Sequence, residues 1–190
     1  NITKSGKAML VYSIMKDLEK DLTLLNGVDR KPGLVSTVCD LISEFKRYNI
    51  TPEALMNANV KDKRLVDKLQ ELAYIYREYQ KRVEGKFLDT DDDLNAVLRF
   101  IDTSKIIKDA KIWIDGFDGF TPQELEVIKA LNKNCDITIA ISADNQESEL
   151  FLLNRKTIDK IKRFSNIDEI YLDEEKRFNN DELRFLEKQY

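Results

Sequence analysis

Apolar residues recur at steps of three and four along four stretches of the first hundred residues, and this spacing predicts amphipathic α-helices. The stretches cover residues 11–25, 35–45, 65–83 and 94–101. The stretch at 65–83 repeats its apolar positions every seven residues, which favours packing along a neighbouring helix at a shallow angle. The sequence therefore predicts a helical first part of the chain.

Helix-capping residues mark where further helices begin. Thr51 before Pro52 predicts a short helix, because Thr caps well and Pro suits the first helical position. Thr90 and Asp93 are spaced like a capping pair at the start of the helix predicted at 94–101. We interpret residues 91–93 as a solvated helix N-terminus, since three consecutive helical residues point in different directions and cannot converge on a metal ion.

The pattern changes near residue 105, where short apolar runs begin to alternate with helical segments. The predicted order is a strand at 110–115, a helix opened by a capping box at 121–124, a strand at 137–141, a helix at 151–164 capped from 144–147, and a short strand at 170–172. This alternation is typical of a parallel sheet with right-handed crossovers. We therefore predict a helix-rich α/β chain with a helical subdomain at 1–104 and an α/β subdomain at 105–190.

Composition narrows the class of protein. Hydrophobic residues make up 42% and charged residues 35% of the 190 residues, which indicates a folded chain. The net charge of −4 includes no basic tract, so any contact with DNA would be local. No apolar run approaches the roughly 20 residues of a membrane span, so we expect no membrane partner. Because the chain starts without Met and ends inside a helical pattern, we expect an internal piece of a longer polypeptide.

Histidine is absent, and the two cysteines, Cys39 and Cys135, lie far apart in sequence. These facts exclude zinc fingers, histidine-based triads and most transition-metal sites, so we predict no metal site. We interpret both cysteines as small buried hydrophobic residues in a reducing cytoplasm, which is also the expected location of the protein.

Asp115 ends the first predicted strand, where P-loop ATPases place an Asp that holds Mg²⁺. Those enzymes follow it with a Glu that helps to activate water, but here Gly116 follows. A phosphate-binding G-x-x-x-x-G-K-[ST] is also absent, and Ser5-Gly6-Lys7 is a chance match to its tail. We therefore expect the chain neither to bind nor to hydrolyse ATP well. The pattern alone equally allows Asp115 to be a turn residue.

Aromatic residues form two candidate stacking sets for nucleic-acid bases. Tyr76 and Tyr79 fit the apolar stripe of their helix, whereas Tyr74 does not, so we favour core packing for the first two. Phe117 and Phe120 flank a glycine-containing loop, and we favour packing against the sheet for them.

Four motifs, in order, resemble those of superfamily 1 DNA helicases of the UvrD/RecB kind. They lie at 41–46 with 50–53, at 75–79 with 88–94, at 114–123, and at 142–146. The third motif reads D-G-F-D-G-F-T-P-Q at 115–123. This form resembles the one in the AddB family, the B subunits of bacterial AddAB helicase-nucleases. Gly116 and the lost glycine of the fourth motif are the main departures from the helicase pattern.

The resemblance implies a partial RecA-like, P-loop-type domain at 105–190. It implies a non-catalytic segment of a complex that processes double-strand DNA ends for recombination repair, with DNA and an AddA-type helicase-nuclease subunit as partners. ATP, Mg²⁺ and an iron–sulfur cluster would belong to the parent complex and not to this segment. Whether the chain is itself an enzyme stays open.

Exposed basic residues of the helical part are the candidate DNA contacts, and they would touch phosphates without reading sequence. They are Lys46, Arg47, Lys81, Arg82 and Lys86. Each is also explained as an ordinary solvated charge. Two competing interpretations are a self-contained NTPase, which the missing phosphate loop disfavours, and a stand-alone helical adaptor without nucleic-acid function.

Overall fold

The computed structural model describes residues 1–143, 149–172 and 180–189. Within these ranges the chain is a helix-rich α/β structure. Its α-helices are α1 Lys4–Asp17, α2 Leu34–Arg47, α3 Pro52–Met56, α4 Lys63–Val83, α5 Asp93–Ile101, α6 Pro122–Leu131, α7 Leu152–Lys162 and α8 Asp181–Gln189. Its strands are β1 Lys111–Ile114 and β2 Asp136–Ile139. Single turns of 3₁₀ helix lie at Val28–Arg30, Thr90–Asp92 and Glu149–Phe151.

The larger hydrophobic core lies among the helices of the first part. Ile14 of α1, Ile42 of α2 and Ile75 of α4 are fully buried in it, so three amphipathic faces meet at one centre. Tyr76 and Tyr79 are buried in the same core, which confirms the predicted packing of these two rings.

Helix α1 is shorter than its apolar spacing predicts, because it ends at Asp17. Leu22 and Leu25 are nevertheless buried. The backbone N–H groups of residues 23–25 donate to the buried carboxylate of Glu71 in α4. This carboxylate satisfies the backbone donors that a continuing helix would pair with its own carbonyls. The turn after α1 is thereby fixed against α4 without helical backbone.

Two of the four predicted caps are confirmed. Thr51 caps α3, and Thr121 forms the capping box of α6. The capping pair predicted for Thr90 and Asp93 is wrong. Asp89 caps this turn, and its Oδ1 accepts a hydrogen bond from the backbone N–H two residues later.

The two strands form a parallel pair in which Ile112 lies opposite Ile137, and α6 connects them. A second, smaller core packs against this sheet and is built around Phe120, Ile128 and Ile161. The predicted strand, helix, strand and helix are therefore confirmed. That the subdomain is RecA-like stays a prediction.

The third strand predicted at 170–172 is wrong, because these residues are irregular. Ile170 and Leu172 are 83% and 90% exposed, so no neighbouring strand or helix covers them within the described ranges. Apolar character alone suggested the strand, and it does not create one without a pairing partner. The cap predicted at 144–147 and most of the motif at 142–146 lie outside the described residues.

The helical and α/β parts contact each other through α6, which packs against both α5 and α2. The boundary predicted between the two parts, near residue 105, lies in the irregular connection between α5 and β1. Among the described residues, no helix combines the length and the apolar character needed to cross a bilayer.

Candidate functional site

Asp115 lies directly after β1 and is exposed at the C-terminal end of the strand. Its Oδ1 accepts a hydrogen bond from the backbone N–H of Gly116 at 2.8 Å. Gly116 has φ +81°, a left-handed conformation that glycine adopts far more readily than a residue with a Cβ. The position that carries Glu in the helicase motif therefore lies in a turn whose backbone favours glycine.

No group of three or more His, Cys, Asp or Glu side chains within the described ranges is arranged to hold a metal ion. Asp115 is therefore not part of such a group there. Its carboxylate forms the turn after β1, the structural alternative that the sequence left open.

Two aromatic side chains, Phe117 and Phe120, pack against each other in the loop after this turn. The rings of Phe117 and Phe120 lie 5.4 Å apart between centroids. Phe120 is buried, which confirms its predicted packing, whereas Phe117 remains 45% exposed. At Gly119 an added Cβ would lie 3.1 Å from the Thr157 hydroxyl oxygen of α7, a tight contact that glycine avoids.

Gln123, the last residue of the D-G-F-D-G-F-T-P-Q motif, lies on α6 and contacts the helical part of the chain. Its side chain is 3% exposed, and its Nε2 donates to the carbonyl oxygen of Asp91 at 2.9 Å. The last side chain of the motif is therefore hydrogen-bonded to the turn that precedes α5.

That turn carries a set of buried charges. We call the set the lysine–aspartate network, and its members are Lys7, Ser43, Lys46, Tyr79, Asp89, Asp91 and Asp92.

Lys46 is the centre of one half of the network and is only 4% exposed. Its Nζ lies 2.8 Å from Asp89 Oδ2 and also pairs with Asp92. The Tyr79 hydroxyl donates to the same Asp89 oxygen at 2.7 Å. The Lys46 ammonium lies 5.3 Å from the centroid of the Tyr79 ring, a cation–π distance.

Lys7 is the centre of the other half. Its Nζ lies 2.7 Å from both Asp91 Oδ2 and Ser43 Oγ. The Ser43 hydroxyl donates to the same Asp91 oxygen at 2.6 Å. Throughout the described residues, every buried side-chain nitrogen and oxygen has a hydrogen-bond partner. Buried charges that are paired and fully hydrogen-bonded escape most of the penalty for leaving water.

The network lowers the pKa of two of its carboxyls. Burial raises the pKa of Asp89, but hydrogen bonds from Lys46 and Tyr79 outweigh it, and the pKa falls below its ordinary value. At Asp91, the effect of burial on the pKa is likewise outweighed by the Lys7 and Ser43 hydrogen bonds. Burial and the neighbouring aspartates raise the pKa of the Tyr79 hydroxyl, which stays protonated and donates.

The predicted solvation of residues 91–93 is wrong for Asp91, whose side chain is 15% exposed. As predicted, the three carboxylates point apart: Asp91 pairs with the ammonium group of Lys7, Asp92 with that of Lys46, and Asp93 is exposed. Lys7, set aside in the sequence as a chance match to a phosphate loop, is one of those ammonium groups.

The five candidate DNA contacts lie in different environments. Lys46 is not an exposed residue, because its charge is buried and paired within the network. Lys81 pairs with Glu78 at 2.6 Å, and Arg82 pairs with Asp17 of α1 at 2.7 Å.

The two remaining candidates, Arg47 and Lys86, are exposed and lie no closer than 3.9 Å to a carboxylate of the described residues. The Arg47 side chain is 60% exposed and lies 3.9 Å from Asp91. Lys86 is exposed and makes no ion pair within the described ranges. Of the five candidates, only Lys86 makes no ion pair among the described residues, and the Arg47–Asp91 pair is long at 3.9 Å.

Apart from Lys7, the residues of this junction whose role sequence reasoning missed belong to the helicase-like motifs themselves. Ser43 and Lys46 come from the first motif, Tyr79 and Asp89 from the second, and Gln123 from the third. A signal was available, because Ser43 and Lys46 are three residues apart and lie on one face of α2. The first three motifs therefore meet at one buried junction between the helical and α/β parts.

Comparison with known proteins identifies the family of the chain. A family model described as "ADDB, N-terminal" matches residues 1–188. The chain is 34% identical over 169 residues, 87% of its length, to the B subunit of the ATP-dependent helicase/deoxyribonuclease of Clostridium botulinum (strain Loch Maree / Type A3). It is 31% identical over 205 aligned residues, 99% of its length, to the protein of the same name in Thermoanaerobacter sp. (strain X514).

The chain spans 15% and 18% of the lengths of these two relatives. A third relative of the same name, from Clostridium novyi (strain NT), is 30% identical over all of the chain. The match over nearly every residue, with three motifs joined in one buried junction, shows that the chain belongs to the AddB N-terminal family.

Proposed function

We propose that the chain is a non-catalytic, helicase-like segment of the B subunit of an ATP-dependent helicase-deoxyribonuclease that processes double-strand DNA ends for recombination repair. The observation that carries the proposal is the family match over residues 1–188, together with the left-handed turn at Gly116. This turn disfavours the glutamate that the motor motif requires for activating water.

The rest of the activity is proposed for other parts of the complex. An AddA-type subunit would be the partner and would contribute ATP hydrolysis with Mg²⁺. No group of three or more His, Cys, Asp or Glu side chains among the described residues is arranged to hold a cation, and the chain has no phosphate-binding loop, so it does not fit that role. The chain has two cysteines, Cys39 on α2 and Cys135 before β2, and these do not fit an iron–sulfur cluster, which takes four.

The DNA contacts are proposed for the accessible basic residues of the helical part. Arg47 and Lys86 are the stronger candidates, since Lys86 makes no ion pair among the described residues and the Arg47–Asp91 pair is long at 3.9 Å. Lys81 and Arg82 would have to exchange a surface ion pair for a phosphate, which costs little because such pairs contribute under about 1 kcal/mol. Lys46 is left out, because its burial removes it from reach.

Co-expression of the full-length polypeptide with the A subunit from the same cell tests the proposal. A stable one-to-one complex that degrades linear duplex DNA in an ATP-dependent manner is expected. A polypeptide that remains alone in size-exclusion chromatography with light scattering, and a mixture without nuclease activity, would favour the adaptor interpretation.

A further inference from the structure

A groove lined by lysines lies at the opposite end of the sheet from Asp115. Two segments form it, the connection between α5 and β1 and the turn between α6 and β2. Because the strands are parallel, both segments meet at the amino-terminal end of the sheet. The groove encloses about 310 Å³ and is lined by Lys105, Lys108 and Lys133 together with Ser104 and Asn134.

Backbone and side-chain hydrogen bonds fix the two segments against each other. Asp109 N donates to the Asn134 carbonyl oxygen at 3.0 Å, and Asp136 N donates to the Ala110 carbonyl oxygen at 3.0 Å. The Asn134 side chain donates to Asp102 Oδ1 at 2.9 Å. The walls of the groove are therefore preformed, which reduces the ordering cost of binding a ligand.

The backbone of one wall is held in a strained conformation. Asp109 has φ +58°, the left-handed region that residues with a Cβ seldom occupy. Its N–H bond to Asn134 holds it there. Strain of this kind persists only where the surrounding structure fixes it.

The lysines of the groove make no ion pairs among the described residues. Lys105, Lys108 and Lys133 are exposed, and none has a carboxylate within ion-pairing distance in the described part of the chain. Of the two carboxylates in the lining, Asp102 already accepts a hydrogen bond from Asn134. Lys7 and Lys46, by contrast, pair with the carboxylates of the lysine–aspartate network.

We propose that this groove binds the phosphodiester backbone of DNA. Lysine ammonium groups act as point charges for phosphate oxygens, and the Ser104 hydroxyl can donate a further hydrogen bond. Contacts of this kind position a strand without reading its sequence. The choice of DNA over another polyanion rests on the proposed function, but none of these lysines is among the contacts proposed above.

The test is the salt dependence of DNA binding by the full-length polypeptide in its complex. The probe is a fluorescein-labelled single-stranded oligonucleotide, in two unrelated sequences. The variant is Lys105→Glu, Lys108→Glu and Lys133→Glu together, and a second variant with Gln at the same positions avoids charge repulsion. A matched control reverses three exposed lysines of the helical part, Lys61, Lys63 and Lys68.

Both groove variants should weaken binding by roughly tenfold at 100 mM salt and reduce the slope of log K against log salt by about 2, equally for both oligonucleotides. The control variant should keep the wild-type slope. Unchanged slopes in the groove variants, or equal losses in groove and control variants, would overturn the groove while leaving the proposed function intact.

Two further outcomes separate the remaining possibilities. A wild-type complex that binds no DNA would overturn both the groove and the proposed function. Displacement of DNA from the wild-type complex by ATP at matched ionic strength, lost in the groove variants, would make the groove a nucleotide site and overturn its assignment to DNA.

Discussion

Lys46 Nζ lies 2.8 Å from Asp89 Oδ2, and these two side chains are only 3% and 2% exposed. The pair joins α2 to the turn before α5, and Gln123 ties the same turn to α6. The charge predicted to touch DNA instead holds together the junction between the helical and α/β parts.

Removal of the Lys46 charge should destabilise the chain strongly. Lys46→Met leaves Asp89 buried without its cation, and breaking a buried pair from one side costs about 3–5 kcal/mol. Urea unfolding of the 190-residue chain measures this change. Lys86→Met, at an exposed lysine, should change the free energy of unfolding by less than about 0.5 kcal/mol. Equal effects of the two substitutions would contradict a structural role for the network.

The network should also make stability depend on pH in the acid range. The pKa values of Asp89 and Asp91 are lowered in the folded chain, so their contribution is present above the unfolded value of about 4. It is lost as the pH falls through the lower folded values, because the unfolded chain then binds protons more readily. Urea unfolding at about pH 6, 4 and 3 should show falling stability, and Asp89→Asn should flatten the fall. Asp93→Asn, at the exposed neighbour outside the network, is the matched control substitution.

Glu71 should be a second structural carboxylate. Its oxygens accept hydrogen bonds from the backbone N–H groups of residues 23–25 and from the Thr23 hydroxyl. Glu71→Gln keeps the shape but removes the charge and replaces one acceptor by a donor, and we expect a loss of about 1.5–3 kcal/mol in the free energy of unfolding. Glu78→Gln on the same helix, which breaks only the Lys81 surface pair, is the control and should cost under about 1 kcal/mol.

Gly116 should resist substitution because of its backbone and not because of crowding. No atom lies within 4 Å of an added Cβ, but φ is +81°. Gly116→Ala should cost about 1–2 kcal/mol, and Gly116→Asn should cost less, since Asn tolerates the left-handed region. Thermal unfolding of the two variants beside the wild type measures the difference. An Ala variant as stable as the wild type would show that the turn adjusts freely.

Local sequence signals predicted most of the fold. Helical spacing located α2, α4 and α5, and the Thr51 and Thr121 caps located the starts of α3 and α6, because these signals act within one or two turns. The end of α1 was missed, since it depends on Glu71, which lies far away in sequence.

The site was harder to predict for the same reason. The sequence placed Lys46 and Asp89 in separate motifs, and a lysine is exposed far more often than it is buried. Only the packing of α2 against the turn before α5 shows that the two charges neutralise each other. Asp115 could be placed at the end of a strand from pattern alone, whereas the left-handed φ of Gly116 could be read only from the backbone.

The central claim, that this segment is non-catalytic, is tested most directly by ATP hydrolysis in the assembled complex. The A subunit would first be inactivated at its own motor site, and DNA-stimulated ATP hydrolysis would then be measured with wild-type and Asp115→Asn forms of the full-length polypeptide. We predict no hydrolysis above background in either complex. Residual DNA-stimulated hydrolysis that disappears with Asp115→Asn would contradict the claim and make Asp115 a working member of an ATPase site.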